Sequence, residues 1–347
     1  MHRVMKAAVL ESWKKIAVVK CSIPEPGPGE VRVRVSRAGI CGSDVHIYNG
    51  DNPIAIAPVI QGHEFMGVVD APGDQVSGFS VGQRVVIQPL VFCGQCPPCT
   101  RGIPHVCDQL TVIGVNRNGG FAEYVCVPAD TLFSLPDDIP DDVAVLAEPF
   151  SIGVHSCQRG QLDPNDRVLV IGGGPIGFYA ALVARERGAR DVIVSEPLAV
   201  RRKLIGSMAL DAVDPLNSAA LPELVERAAG EGYDLIIETS GTSEGLDFAS
   251  QAAAVGGRIV TLGFPAKNYA HYNITRGIVR ELSLVGSRVC TRDQFVQTLE
   301  LLGGLHRQGR YDLSSLVTAP RALSELSASI EDVGSGAESA KILLTPA

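Results

Sequence analysis

The chain has 347 residues, 46% hydrophobic and 20% charged, enough to bury a large core, and its length predicts two domains. A formal charge of −8 argues against a nucleic-acid partner, which would call for a basic stripe. Glu11, Lys14 and Lys15 interrupt the N-terminal apolar run, and glycines 172–174 with Pro175 break the uncharged stretch from Val168 to Ala184, so neither a secretory leader nor a membrane span is expected.

Residues 1–150 read as short strands. VRVRVS, FMGVVD, QRVVIQP and FAEYVCVP are rich in β-branched residues, and PEPGPGE, APGDQ and NRNGG mark turns between them, which predicts an all-β, barrel-like module. Within it, GICGSDVH brings Cys41, Ser43, Asp44 and His46 together, and QGHEF supplies His63 and Glu64. Thiolate, imidazole and carboxylate suit a catalytic zinc that keeps one position for water or a substrate hydroxyl. Taken singly, Cys41 reads as a small buried thiol and His63 as a satisfied core histidine.

Further along, Cys93, Cys96, Cys99 and Cys107 stand at C-x2-C-x2-C-x7-C spacing, with Gly94, Pro97, Pro98 and Gly102 for the tight turns. That pattern predicts a closed, structural zinc site of four thiolates. Cys21, Cys41, Cys126, Cys157 and Cys290 are scattered singly, so a reducing compartment, the cytoplasm, is expected in place of a disulfide framework.

From residue 167 the pattern changes. RVLVI reads as a buried strand, and Gly172, Gly174 and Gly177 form G-x-G-x-x-G, with Pro175 and Ile176 opening a helix that runs to Gly188. The glycines allow a tight turn, close approach of the backbone to a pyrophosphate, and close helix packing. DVIVSE then places Glu196 at a strand end, nineteen residues past Gly177, where a carboxylate can accept from ribose hydroxyls and favour NAD over NADP. Arg201 and Arg202 offer the opposing reading, since either could meet a 2′-phosphate. YDLIIETSG, GRIVTLGF and ELSLVGS continue as strands, separated by helical stretches such as TSEGLDFASQAAAV, which predicts an α/β, doubly wound parallel sheet. Thr239, Gly263 and Phe264 would line its cofactor cleft. DQFVQTLELLGGLHRQGR has helical periodicity, and KILLT reads as a last strand that pairs elsewhere.

These motifs together resemble the zinc-dependent medium-chain dehydrogenases of the alcohol, polyol and threonine dehydrogenase group. The resemblance covers essentially the whole chain, through GICGSDVHIYNG, GHEFMGVV, VGQRVVI, the cysteine lobe, GGFAEYVCVPA, LAEPFSIGVHS, VLVIGGGPIG and AKILLTP. It implies a Rossmann nucleotide domain over 153–289 and a GroES-like catalytic domain over 1–152 and 290–347, with catalysis in the cleft between them. It further implies that the catalytic zinc falls to Cys41, His63 and Glu64, with Glu148 of LAEPF as a further carboxylate, either of the two acids reaching the metal or holding its water. Ser43 and His46 would relay the proton released when a secondary alcohol gives hydride to NAD, and Asp44 would orient His63. Relatives of this kind imply a homodimer or homotetramer.

EPF, NGDNP and LSLVGSR resemble the polyol side of the family, especially enzymes of hexonic sugar acids such as gulonate, idonate or galactonate. IGVNRNGGFAEY and CGSDVHIYN resemble threonine 3-dehydrogenases as well, from which GSRVCTRD departs. A carboxylate on the substrate would call for a cationic anchor, with Arg288 the first candidate and Arg117 the second. A non-catalytic zinc- or nucleotide-binding protein of the same fold is the rival from another class, and Cys41, Ser43, His63, Glu64 and Gly172 all speak against it.

Overall fold

Valines alternating with arginines over residues 31–35 give the strand on which the catalytic half is built. In the computed structural model, which describes residues 3–264, 271–336 and 340–346, the strand Glu30–Gly39 buries Val31, Val33 and Val35 in a common core. It pairs antiparallel with Glu64–Pro72, Tyr124–Pro128 and, at its end, Leu343–Thr345. Glu64–Pro72 leads on to Arg84–Ile87 and then Leu132–Ser134. Register shifts at Arg32/Val33 and Val35/Arg37 increase the local twist and curl the sheet over its core. Phe65, Ile87, Val127 and Leu344 join that core, each contributing roughly 1.5–3 kcal/mol on leaving water. A smaller sheet sets Val4–Ser12 between Lys15–Ser22 and Val59–Ile60. These elements belong to one compact unit, Met1–Glu148 with Thr291–Ala347, and Pro149–Cys290 forms a second.

The second unit carries a six-stranded sheet in which every pairing is parallel. Its spatial order is Asp211–Val213, Asp191–Ser195, Arg167–Ile171, Tyr233–Glu238, Ala253–Thr261 and Ser283–Gly286. Strand order therefore reverses between Arg167–Ile171 and Tyr233–Glu238, the point at which doubly wound sheets bind their ligands. The helix Pro175–Glu186 buries every residue from Gly177 to Ala184 against this sheet.

One helix ends earlier than its sequence pattern suggests. The helix expected over TSEGLDFASQAAAV ends at Ala252, and Ala253 already begins the next strand, opposite Tyr233. Ala253 and Ala254 are buried in strand register, and tertiary pairing overrides alanine's helical preference. Among the described residues, no helix is long and apolar enough to cross a membrane.

Candidate active site

Two short segments deliver the zinc donors. Beyond Gly39 the chain turns into the helix Gly42–Asn49 with Cys41 as its N-cap, and Asp44 Oδ2 accepts from the Cys41 N–H at 2.9 Å, fixing that start. His63 immediately precedes the strand Glu64–Pro72, whose first residue lies opposite Gly39. A Cβ on Gly39 would stand 2.5 Å from Glu64 Oε2, so glycine makes room there for a buried carboxylate. Cys41 Sγ, a His63 ring nitrogen and a Glu64 oxygen lie within 4.8 Å of one another.

Sulfur, nitrogen and oxygen donors in that proximity are a set zinc takes, and Glu64 Oε2 is buried with no hydrogen-bond partner, so the residues fit the ion. Asp44 Oδ1 stands 3.7 Å from His63 Nδ1, at the side of the ring it would have to steady but beyond hydrogen-bond length. Burial works against a charged His63 ring, yet Asp44 and Cys41 outweigh it and hold the ring's pKa well above its usual value. Ser43 Oγ is 3.7 Å from Cys41 Sγ, and His46 is exposed on the same helix. Glu148 is buried in the first turn of Ala147–Arg159 and is not in the mutually close donor group. Burial raises its pKa to about 7, with His63 and Lys341 pulling down and Glu64 and Asp44 pushing up.

Sequence reasoning missed Lys341. Its ammonium donates to Glu64 Oε1 at 2.7 Å and to the Ile40 carbonyl at 3.2 Å, with both charged side chains at most 2% exposed. The one trace in the sequence was a lysine directly ahead of an apolar terminal strand.

The four lobe cysteines also converge within 4.8 Å. Sulfur separations of 3.4 Å for Cys96–Cys99, 3.5 Å for Cys93–Cys107 and 3.7 Å for Cys96–Cys107 approach the edge of about 3.8 Å that Zn–S bonds of about 2.3 Å give a tetrahedron. Backbone N–H groups point at the sulfurs, Cys96 N at Cys93 Sγ and Gln109 N at Cys107 Sγ. Such donors, from Gln95 and Cys96, lower the Cys93 pKa to about 6 and favour the thiolate that a metal needs. None of the nine cysteines forms a disulfide.

In the second unit, a Cβ on Gly177 would fall 1.9 Å from the Gly172 carbonyl oxygen, so only glycine lets this helix start so near the strand. Gly172 itself has φ +94°, and Gly174 caps the helix that Pro175 and Ile176 begin. Glu196 follows the strand Asp191–Ser195 and is 2% exposed. Its two oxygens accept from Gly173 N–H at 2.7 Å and Leu198 N–H at 2.8 Å, each keeping a lone pair for a further donor. Arg202 is committed to the carbonyls of Glu196 and Pro197 and to Asp214, whereas Arg201 Nη1 stands 3.9 Å from Glu196 Oε2. Thr239 Oγ1 donates toward the carbonyls of Ile171 and Gly172, Gly263 lies against Gly241, and Phe264 is 78% exposed. Among the substrate candidates, Arg288 is exposed just beyond Ser283–Gly286. Arg117 is instead engaged by Glu30 and the Cys126 carbonyl, an ion pair that leaves its guanidinium to the sheet.

Residues 27–137 match the model of the alcohol dehydrogenase GroES-like domain, and residues 175–303 that of the zinc-binding dehydrogenases. The chain belongs to the zinc-dependent alcohol dehydrogenase family. Its members are oxidoreductases that act on CH–OH donors with zinc and a nicotinamide dinucleotide, and this chain is one of them. It is 40% identical to the starvation-sensing protein RspB of Escherichia coli K12, over 82% of this chain and 84% of that protein. It is 36% identical to L-threonine 3-dehydrogenase of Deinococcus deserti, over 96% of each, and 32% identical to 2-dehydro-3-deoxy-L-galactonate 5-dehydrogenase of Pseudoalteromonas atlantica, over 98% of each. Two solved structures share the dehydrogenase fold. A putative zinc-binding dehydrogenase of Sinorhizobium meliloti bound to NADP matches with TM-score 0.92 and 31% identity, over 99% of this chain and 100% of that one. The RspB dehydrogenase of Escherichia coli CFT073 complexed with NADH matches with TM-score 0.89 and 34% identity, over 99% of each.

Proposed function

We propose that this dehydrogenase oxidises a secondary hydroxyl of a polyol or hexonic sugar acid to the ketone, with NAD as hydride acceptor. The observation that carries the chemistry is the convergence of Cys41, His63 and Glu64, which would hold the catalytic zinc, with Glu148 near enough to feel the charges of His63 and Glu64. When bound, zinc supplies Lewis acidity that makes an alcohol more acidic, and the dinucleotide supplies the hydride acceptor. Ser43 takes the proton released by the substrate and His46, exposed on the same helix, passes it to water. Asp44 ties the helix start to Cys41 and keeps a negative charge beside His63. Cys93, Cys96, Cys99 and Cys107 would hold a second zinc, whose binding would stabilise the folded lobe.

Glu196 supports NAD over NADP, because a 2′-phosphate would be brought against a buried carboxylate. The test is kcat/KM with each dinucleotide, where NAD should lead by a wide margin and Glu196→Gln should narrow the gap; equal efficiency in the unaltered enzyme assigns the site to Arg201 instead. The sugar-acid reading is supported by likeness to the galactonate-type dehydrogenase along nearly all of both chains, and Arg288 is the anchor it requires. A screen of NAD reduction over aldonates, polyols, vicinal diols and threonine tests it. Turnover of a hexonate, with a KM that rises far more for the acid than for a neutral polyol in Arg288→Ala, is the expected result. Efficient turnover of threonine with every hexonate inert favours the second reading, supported by the 36% identity to a threonine 3-dehydrogenase.

A homodimer or homotetramer is supported by the edge strand Ser283–Gly286, with Leu284 and the neighbouring Ile278 and Val279 exposed. Nine cysteines without a disulfide suit the cytoplasm.

A further inference from the structure

The strand Tyr233–Glu238 ends on a buried acid at the point where strand order reverses, with Glu238 opposite Ile171 in the register. The carboxylate is 2% exposed, and no part of the chemistry above uses it. Oε1 accepts from Ser240 N–H at 2.7 Å, from Gly241 N–H at 3.1 Å and from the Ser240 hydroxyl. Ser240 Oγ in turn lies 3.0 Å from Thr242 Oγ1, which caps the helix Ser243–Ala252. Burial pushes the Glu238 pKa up, against the pull of those same donors.

The main chain around Glu238 is as tightly placed as its side chain. Its carbonyl accepts from Leu262 N–H at 3.1 Å, and Thr239 N–H donates to Ile171 O at 2.9 Å. A Cβ on Gly263 would stand 2.2 Å from Gly241 N, and one on Gly245 would stand 2.2 Å from Ser240 Oγ and 3.1 Å from Glu238 Oε1. The glycine-rich turn, the loop 239–242 and the segment 262–264 thus meet around one residue, at the strand ends where a dinucleotide must lie.

We infer that Glu238 is a positioning residue for the dinucleotide, holding the loop 239–242 so that its carbonyl oxygens are offered to a ribose diol. The physical reason is directional. An acceptor inside the turn draws in the N–H groups of Ser240 and Gly241, and what remains for a ligand is carbonyl oxygen, which suits a hydroxyl-rich group. An apolar residue at 238 would leave two N–H groups free to turn outward, and the loop would lose the conformation that meets the ribose.

NADH fluorescence titration of the zinc-loaded protein tests this, alongside kcat at saturating NAD. Glu238→Ala should raise the NADH dissociation constant about tenfold or more while kcat at saturation changes by less than about threefold, because the group acts on binding and not on the reacting atoms. Glu238→Gln keeps a carbonyl oxygen for the same N–H donors and should restore binding to within a few-fold of the unaltered enzyme. If Glu238→Ala does not fold, Gly245→Ala, whose new methyl displaces Ser240 Oγ, should weaken NADH in the same way. Unchanged NADH binding in a folded Glu238→Ala or Gly245→Ala variant overturns the inference, as does a loss in Glu238→Gln equal to that in Glu238→Ala. An unaltered protein that binds neither NADH nor NADPH overturns the dinucleotide reading itself, and this inference with it.

Discussion

Lys341 brings its ammonium into the interior, where the Glu64 carboxylate and the Ile40 carbonyl receive it. Glu64 answers it with one oxygen and leaves the other unpartnered, so the acid is shared between a fixed ammonium and a metal position. Lys341→Met strands the Glu64 charge and should cost the zinc-free protein about 3–5 kcal/mol. The zinc-loaded protein should lose less, since the metal replaces the missing cation, and urea denaturation of both forms measures the difference. An equal loss in the two forms would separate Glu64 from the metal. Glu148 makes a pH prediction of definite sign. Its folded-state pKa is raised from 4.5 to about 7, so between those values the folded zinc-free protein binds more protons than the unfolded chain and loses stability as pH rises. Glu148→Gln should flatten that slope in denaturation curves of the stripped protein, and an unchanged slope would assign it to another group.

Among elements, the cysteine lobe is the most separable, for its four converging sulfurs would hold a metal where other elements pack a core. Metal analysis should return close to two zinc ions per chain. Cys99→Ser should release one of them and lower the melting temperature, whereas Cys41→Ser should abolish turnover with the lobe zinc retained. A single zinc in the unaltered protein, or full activity in Cys41→Ser, removes the catalytic-zinc model. The lobe's four cysteines converge as their short spacing suggests, the Cys41, His63 and Glu64 set drew on the resemblance because its donors come from two separate segments, and the parallel sheet was legible because its strands are apolar runs closed by small residues. The helix Gly42–Asn49 was not foreseen, since its Gly-Ser-Asp start reads as a turn until Asp44 is seen bonded to the Cys41 N–H. Lys341 was hidden for a different reason. It meets Glu64 across 277 residues, a separation no local pattern encodes, and the pairing of Arg117 with Glu30 across 87 residues was hidden in the same way.

At the scale of the whole molecule, an edge strand with exposed Leu284, beside a helix that exposes Ile278 and Val279, is a hazard for a protein that stays a monomer. Light scattering of the purified protein should give a dimer or a tetramer, and Leu284→Lys should shift the population toward smaller species; a monomer at working concentration would refute the oligomer reading. The far end of the chain has a consequence of another kind. Leu343–Thr345 pairs with the end of Glu30–Gly39, and Lys341 arrives just ahead of it, so the counter-charge of Glu64 is supplied 277 residues further along the chain. The lobe is complete in sequence by Cys107, long before that. The lobe's donors can therefore gather early in synthesis, whereas Glu64 meets its ammonium only once the chain has been made past Lys341 and its strand has paired. A chain cut short before Lys341 keeps every lobe cysteine, yet its Glu64 lacks the ammonium that steadies it here.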